Sequence, residues 1–145
     1  MEGDSIKRYV LDTSVVVKWF SEADEGDLEK ALKFRADHTT GHCLLIVPDL
    51  LLYELANALR YNEKVQPDEV REAVESIGDI DIQIRPYDIH VLSSALTLAF
   101  RYQVTVYDAY FLGLAEAIEC PLITADRRFY DKVSDSKWTR ALSDF

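Results

Sequence analysis

Four acidic residues stand where the surrounding sequence gives no ordinary reason for an acid. Asp12 stops the apolar run Tyr9-Val10-Leu11, and Glu54 is the only charge between Leu50 and Leu59. Asp108 follows Val104-Thr105-Val106-Tyr107, and Asp126 follows Leu122-Ile123-Thr124-Ala125. Gathered in one place, carboxylates repel: at about 5 Å and an effective dielectric near 20, each like-charged pair costs about 3 kcal/mol. Such a cluster must take up protons or a divalent cation. An all-oxygen donor set suits Mg²⁺ or Mn²⁺ better than zinc, which prefers His and Cys ligands. A metal so held activates water, the chemistry of phosphodiester hydrolysis. Each acid also has a quieter use. Asp12 with Thr13 and Ser14, Asp108, and Asp126 could all serve as helix N-caps, and Glu54 could sit in a structural salt bridge. Taken singly, the residues leave both uses open.

The elements that must position these acids follow from hydrophobic period and from Pro and Gly punctuation. Tyr9 to Leu11 reads as a strand and Ser14 to Phe20 as a short apolar helix. Glu25 to about Asp37 reads as a helix whose apolar face is Leu28, Ala31, Leu32 and Phe34, with the stem of Arg35. Cys43 to Val47 is a continuous apolar strand, and Pro48-Asp49 opens a helix to about Tyr61. That helix is apolar all round, which predicts burial and makes Glu54 conspicuous. Pro67 opens a helix closing near Gly78, and Ile80, Ile82 and Ile84 alternate as in an edge strand. Asp88 caps a helix to about Tyr102. Val104 to Tyr107 reads as a short strand or turn ending at Asp108, followed by a helix from Ala109 to Glu119. Pro121 to Ala125 is a strand, Arg127 to Val133 one or two helical turns, and Trp138 to Leu142 a last short strand. Alternating strands and helices imply an α/β sandwich with a mainly parallel central sheet, whose ligands bind beyond the carboxyl ends of the strands. Asp12, Asp108 and Asp126 are all expected at such ends.

Composition narrows the classes. The 145 residues, 48% hydrophobic and with only 5 Gly and 4 Pro, suit one domain without linker or repeat. No stretch is long and apolar enough for a membrane span and no leader is visible, so a cytoplasmic protein is expected. Cys43 and Cys120 form no metal pattern and read as small buried residues. His38, His42 and His90 fall apart from the acids. Trp19, Phe20, Tyr102, Tyr107, Tyr110 and Phe111 read as core or interface side chains. The net charge of −10 weighs against nonspecific binding of polyanions. Yet charge is uneven: Glu22 to Asp37 carries six acids against three bases, and Arg127 to Arg140 five bases against two acids. Arg127, Arg128 and Lys132 are therefore candidates for gripping phosphates, with a solvated basic turn as the plain alternative.

Leu11-Asp12-Thr13-Ser14, Tyr53-Glu54-Leu55-Ala56-Asn57-Ala58-Leu59, Tyr107-Asp108-Ala109 and Thr124-Ala125-Asp126-Arg127-Arg128-Phe129 together resemble the PIN-domain family, most closely its VapC-type toxin ribonucleases. The resemblance runs in order from about Tyr9 to Leu142. It implies a single PIN-like nuclease domain over residues 1–145, core about 8–142, with sheet order 3-2-1-4-5, which would set Asp12 and Asp108 on adjacent central strands. It also implies a Mg²⁺-dependent endoribonuclease, Mn²⁺ substituting, with Asp12, Glu54, Asp108 and Asp126 around the metal and Ser14, Asn57 and Thr124 supporting them. Partners implied are an RNA substrate, a small antitoxin whose basic tail would complement an acidic enzyme, and a second copy of the chain in a homodimer, through helices around Leu50 to Tyr61 or Ala95 to Tyr102.

Three alternatives compete. One is a solitary PIN nuclease in RNA processing or quality control. Another is an idle PIN module that binds RNA or protein, against which all four acids argue, because a copy without activity has no use for a repulsive cluster. The third is an aspartyl-phosphate protein. A phosphatase of that class wants an acid where Ser14 stands, and a receiver domain wants a lysine where Arg127 stands.

Overall fold

In the computed structural model, which describes residues 6–21 and 26–145, the chain builds a five-stranded, wholly parallel sheet in the order β3-β2-β1-β4-β5. The strands are β1 Lys7–Leu11, β2 Cys43–Pro48, β3 Gln83–Arg85, β4 Leu122–Thr124 and β5 Thr139–Ala141. The order 3-2-1-4-5 implied by the family resemblance is the order found. β1 is the central strand: it pairs Val10 with Ile46 on one side and with Leu122 on the other. Val10 and Leu11 are fully buried and Tyr9 nearly so, as expected of a parallel strand covered on both faces.

Helices cover the sheet. They are α1 Thr13–Val16, continued by a 3₁₀ turn over Val17–Trp19, α2 Leu28–Thr39, α3 Leu50–Arg60, α4 Pro67–Asp79, α5 Ile89–Tyr102, α6 Val106–Ile118 and α7 Arg127–Val133. α6 lies across β1, β2 and β4, and its residues Ala109 to Ala115 are all buried between the sheet and α5. Gly113 permits that approach, because a Cβ there would stand 3.3 Å from the Val91 carbonyl of α5. Cys43 and Cys120 are free and buried, as expected. His38 is a clamp: its two ring nitrogens bond the Ile80 carbonyl (2.8 Å) and the Leu45 N–H (3.1 Å), tying α2 to β2 and to the end of α4.

Four expectations need correction, and a fifth lies partly outside the described residues. Val104 to Tyr107 is not a strand. Thr105 caps α6, its hydroxyl accepting the Asp108 N–H at 3.0 Å, and this capping overrides the β-propensity of Val104-Thr105-Val106-Tyr107. Asp108 therefore sits in the first turn of a helix, and the strand beside β1 that ends in an acid is β4, followed by Asp126. α3 is not buried all round: Leu51, Leu55 and Leu59 form one buried stripe while Tyr53 is 74% exposed. Leu32 is also exposed, and the inner face of α2 is Ala31 and Phe34 with half-buried Leu28, Arg35 and His38. The edge strand shrinks to Gln83–Arg85, because α4 runs on to Asp79 and Asp81, at φ 60°, turns the chain before pairing begins. The start of the second helix, placed at Glu25 from sequence, falls outside the described residues.

Candidate active site

Asp12 extends β1 by one backbone bond, its N–H donating to the Ile123 carbonyl of β4 at 3.0 Å. This leaves its side chain at the carboxyl edge of the sheet, only 7% exposed. Asp12 occupies the cap position of α1 without capping it through its side chain. Instead Asp12 Oδ2 accepts from the Ser14 hydroxyl (2.6 Å) and from the Thr124 hydroxyl (2.9 Å). The donor sense is fixed by the surroundings. An ionised carboxylate only accepts, so each hydroxyl spends its single proton on Asp12, while Ser14 Oγ accepts the Ala125 N–H (2.9 Å) and Thr124 Oγ1 the Asp126 N–H (3.1 Å). The 3.3 Å contact between the two hydroxyl oxygens is thus a consequence of their sharing one acceptor.

Glu54 comes from α3 and is half-buried, and its Oε1 accepts from the Thr13 hydroxyl at 2.6 Å. Asp126 ends the segment after β4 and caps α7, Oδ1 accepting the Phe129 N–H at 3.1 Å. Capping and convergence coexist there. Asp108 reaches the same edge from the first turn of α6.

The electrostatics show that the acids share one field. Burial raises the Asp12 carboxyl above its ordinary range; the Ser14 and Thr124 hydroxyls oppose that rise, and the Asp126 charge adds to it. Burial also raises Glu54, opposed by the Thr13 bond and reinforced by the charges of Asp12 and Asp108. Asp108 is pushed up to about 6, first by burial and then by Asp12 and Asp126, with the Thr105 hydroxyl and Lys132 pulling the other way. Asp12 thus feels Asp126, Glu54 feels Asp12 and Asp108, and Asp108 feels Asp12 and Asp126. Among the described residues none of them is ion-paired with Lys or Arg. That set, all oxygen, partly desolvated except at the exposed Asp126 and without an ion-paired Lys or Arg among the described residues, fits a hard divalent ion chemically. Among the described residues no three His, Cys, Asp or Glu side chains converge closely enough to form a cage on their own.

The other expected site residues divide. Ser14 and Thr124 are in contact with Asp12. Asn57 is exposed and takes no part in the network, because one turn beyond Glu54 it falls on the solvent side of the Leu51, Leu55 and Leu59 stripe. Arg127 is exposed, ion-paired with Asp131 (3.6 Å), bonded to Ser143 (3.3 Å) and laid over the Tyr130 ring. Arg128 is exposed. Lys132 donates to the Gln103 carbonyl at 3.0 Å and is the one of these three whose charge reaches Asp108. Sequence reasoning missed two positioning residues. Thr105 was legible, since Thr105 with Asp108 three residues on has the capping spacing. Thr13 was less so, because its value depends on α3 lying alongside α1. Thr13→Val should weaken Mn²⁺ binding tenfold to a hundredfold, the range typical of groups that orient metal ligands, and Thr13→Ser should restore it. A calorimetric Mn²⁺ titration checks this, and unchanged affinity in Thr13→Val would remove Thr13 from the site.

Comparison with known proteins places this geometry in context. Residues 9–134 match the family model described as PIN domain. The chain is 34% identical over 88 residues to ribonuclease VapC3 of Pyrobaculum aerophilum, covering 58% of this chain and 67% of that one. It is 30% identical over 84 residues to ribonuclease VapC1 of Mycobacterium tuberculosis, covering 56% of this chain but only 62% of that relative's length. Among solved structures, the sarcin–ricin-loop-cleaving toxin VapC20 of Mycobacterium tuberculosis superposes with a TM-score of 0.69 at 13% identity, over 85% of this chain and 93% of that one. DNA-bound VapBC of Salmonella typhimurium gives a TM-score of 0.68 at 15% identity, over 94% and 99% respectively. At such identities these structures speak for the fold alone.

Proposed function

The chain belongs to the PIN domain family, and from that premise we propose that it is a divalent-metal-dependent endoribonuclease, the toxin of a toxin–antitoxin pair. The reading rests on one observation above others: Asp12, Glu54 and Asp108 have raised carboxyls that feel one another or Asp126, and among the described residues none of the four acids is ion-paired with Lys or Arg. Mg²⁺, or Mn²⁺ in its place, would be held by these four and, when bound, supplies Lewis acidity and a water that ionises near neutral pH. The remaining work belongs to the chain. Ser14 and Thr124 hold Asp12 Oδ2 from two sides, and Thr13 holds Glu54 Oε1, so two acids keep their positions before any substrate arrives. Lys132 offsets charge beside Asp108 and, with Arg128 and Arg127, meets RNA phosphates. The Arg127–Asp131 pair is exposed and worth little, so Arg127 is easily released to a phosphate.

The same reading covers partners and place. Solved structures of the fold include a toxin–antitoxin complex from Klebsiella pneumoniae and VapBC2 of Rickettsia felis bound to a promoter DNA fragment. By analogy a small antitoxin lays a basic tail over the acids, which suits a chain of net charge −10. A second copy covers the exposed apolar side chains Leu96, Phe100 and Tyr107 on α5 and α6; sedimentation of Phe100→Asp at half the mass of the wild type would bear that pairing out. No helix among the described residues is long and apolar enough to cross a membrane, and the whole chain acts as one nuclease unit in the cytoplasm.

Incubation of the purified chain with single-stranded and structured RNA tests the core of the proposal. Cleavage should require added Mg²⁺ or Mn²⁺ and vanish with excess EDTA. Cleavage that persists in EDTA would overturn the metal mechanism, and binding of RNA without cleavage under any metal would return the chain to the idle-module class.

A further inference from the structure

A cavity of about 510 Å³ opens at the edge of the sheet opposite the acids, between α2 and the first residues of β1 and β2. Lys7 and Cys43, which pair in register, begin those strands and line it. At the rise of an extended chain, Lys7 is about 16 Å from Asp12. The inner wall is aromatic. Tyr9, Phe34 and Phe145 meet edge to face, with centroids 5.1 Å (Tyr9–Phe34), 6.1 Å (Tyr9–Phe145) and 5.0 Å (Phe34–Phe145) apart. The rim is cationic, with Lys7, Lys30 and Lys33 against a single acid, Asp37. A second cavity of about 340 Å³ shares Lys7 and Tyr9 and adds Arg8 and Arg140 against Glu119. Two of these cations are already engaged with acids, Lys33 with Asp37 (3.1 Å) and Lys30 with Asp27 (3.7 Å). Among the described residues Lys7 and Arg140 have no ion pair. In a chain of net charge −10, this edge gathers positive charge around an apolar hollow.

We propose that the Lys7, Lys33, Tyr9, Phe34 cavity is a binding site for a small amphipathic organic anion, its apolar ring-sized body against the aromatic wall and its carboxylate, sulfonate or phosphate on the lysines. The volume is that of a small-molecule pocket, and an apolar lining with a few charged groups at one side is how such pockets fix orientation. RNA is the weaker occupant. Of the wall's rings only Phe145 is well exposed (43%), with Tyr9 and Phe34 at 9% and 7%, which suits one apolar body but not a run of successively stacked bases. The site is independent of the nuclease reading, since none of its residues belongs to the carboxylate edge.

The probe is 8-anilinonaphthalene-1-sulfonate, followed by fluorescence titration and by amide chemical-shift mapping. The expected result is saturable one-site binding, with the largest shifts at Lys7, His42, Cys43 and Phe145. The double variant Lys7→Glu, Lys33→Gln, both positions lying at the solvent rim, should keep the wild-type melting temperature and bind about tenfold more weakly or worse. Inorganic phosphate alone should bind at least about a hundredfold more weakly than the probe, because it lacks the apolar body. Shifts centred on Leu96 and Phe100, unchanged affinity in the double variant, or phosphate binding as tightly as the probe would each overturn the proposal. So would single-stranded RNA that perturbs these same amides while the probe does not.

Discussion

Asp12→Asn should reduce RNA cleavage by about a thousandfold or more and, in chelator, raise the melting temperature of the protein by a few degrees. The two effects have one cause. Asn retains the volume and one acceptor oxygen, so Ser14 and Thr124 keep a partner for the protons they now give to Asp12 Oδ2. What disappears is the charge, and with it a donor for a cation, so the loss of activity resembles removal of a central catalytic group rather than of a peripheral one. In the metal-free protein the same charge is a burden, since Asp12 is 7% exposed and faces Asp126, Asp108 and Glu54. Relief of repulsion and desolvation should contribute about 1–2 kcal/mol, which for a chain of this size corresponds to a few degrees. Asp108→Asn should move both quantities in the same directions. RNase assays with matched circular dichroism, and melts in EDTA, read the two effects separately. Full activity in both variants would dismiss the four-acid site; a melting temperature equal to or below that of the wild type in chelator would mean the acids do not burden one another.

How much of this was readable from the residues varies with the physics of each element. β1, β2 and β4 were legible because a strand buried on both faces must be apolar without interruption, and Gly41, Pro48 and Pro121 mark their limits. Asp12 and Asp126 came with them, as acids that close such runs. α6 was misjudged at its start because Val104-Thr105-Val106-Tyr107 satisfies strand propensity, while the deciding interaction is a single hydroxyl of Thr105 on the Asp108 N–H. The burial of α3 was overestimated because composition cannot say how many faces of a helix are covered. Leu51, Leu55 and Leu59 meet the core, whereas Tyr53 and Asn57 point away from it. The same blindness explains Asn57 and Thr13. Whether a side chain supports Glu54 depends on which way α3 is rotated and on what lies beside it. Spacing along one helix does not carry that information.

The stability of the metal-free protein should fall as pH rises from about 4 to about 7, opposite to the acid lability of most folds. Asp108 has an ordinary value of 3.8 and a folded value of about 6. Between those two values the folded protein holds a proton that the unfolded chain has released, so fewer protons are bound in the unfolded state and the slope of unfolding free energy with pH is negative. The contribution is fully present below about pH 4 and is lost as pH passes through about 6. Asp12 and Glu54, both raised chiefly by burial, act in the same direction. A shift of this size would be worth about 3 kcal/mol for a fully enclosed group. Asp108 is only half-buried, and solvent screening reduces the figure to about 1–2 kcal/mol. Mg²⁺ should reverse the trend, because it binds the deprotonated acids and stabilises only the fold that gathers them. Its effect on the melting temperature should be small at pH 5 and large at pH 8. Urea titrations from pH 4.5 to 8, in EDTA and in Mg²⁺, measure both curves. Carboxylates elsewhere contribute slopes of their own, so the deciding quantity is the difference between wild type and Asp108→Asn. In EDTA the variant's advantage should grow with pH through about 6, and in Mg²⁺ it should shrink or invert. An advantage independent of pH would mean that Asp108 titrates as an ordinary surface acid, outside the field of the other three.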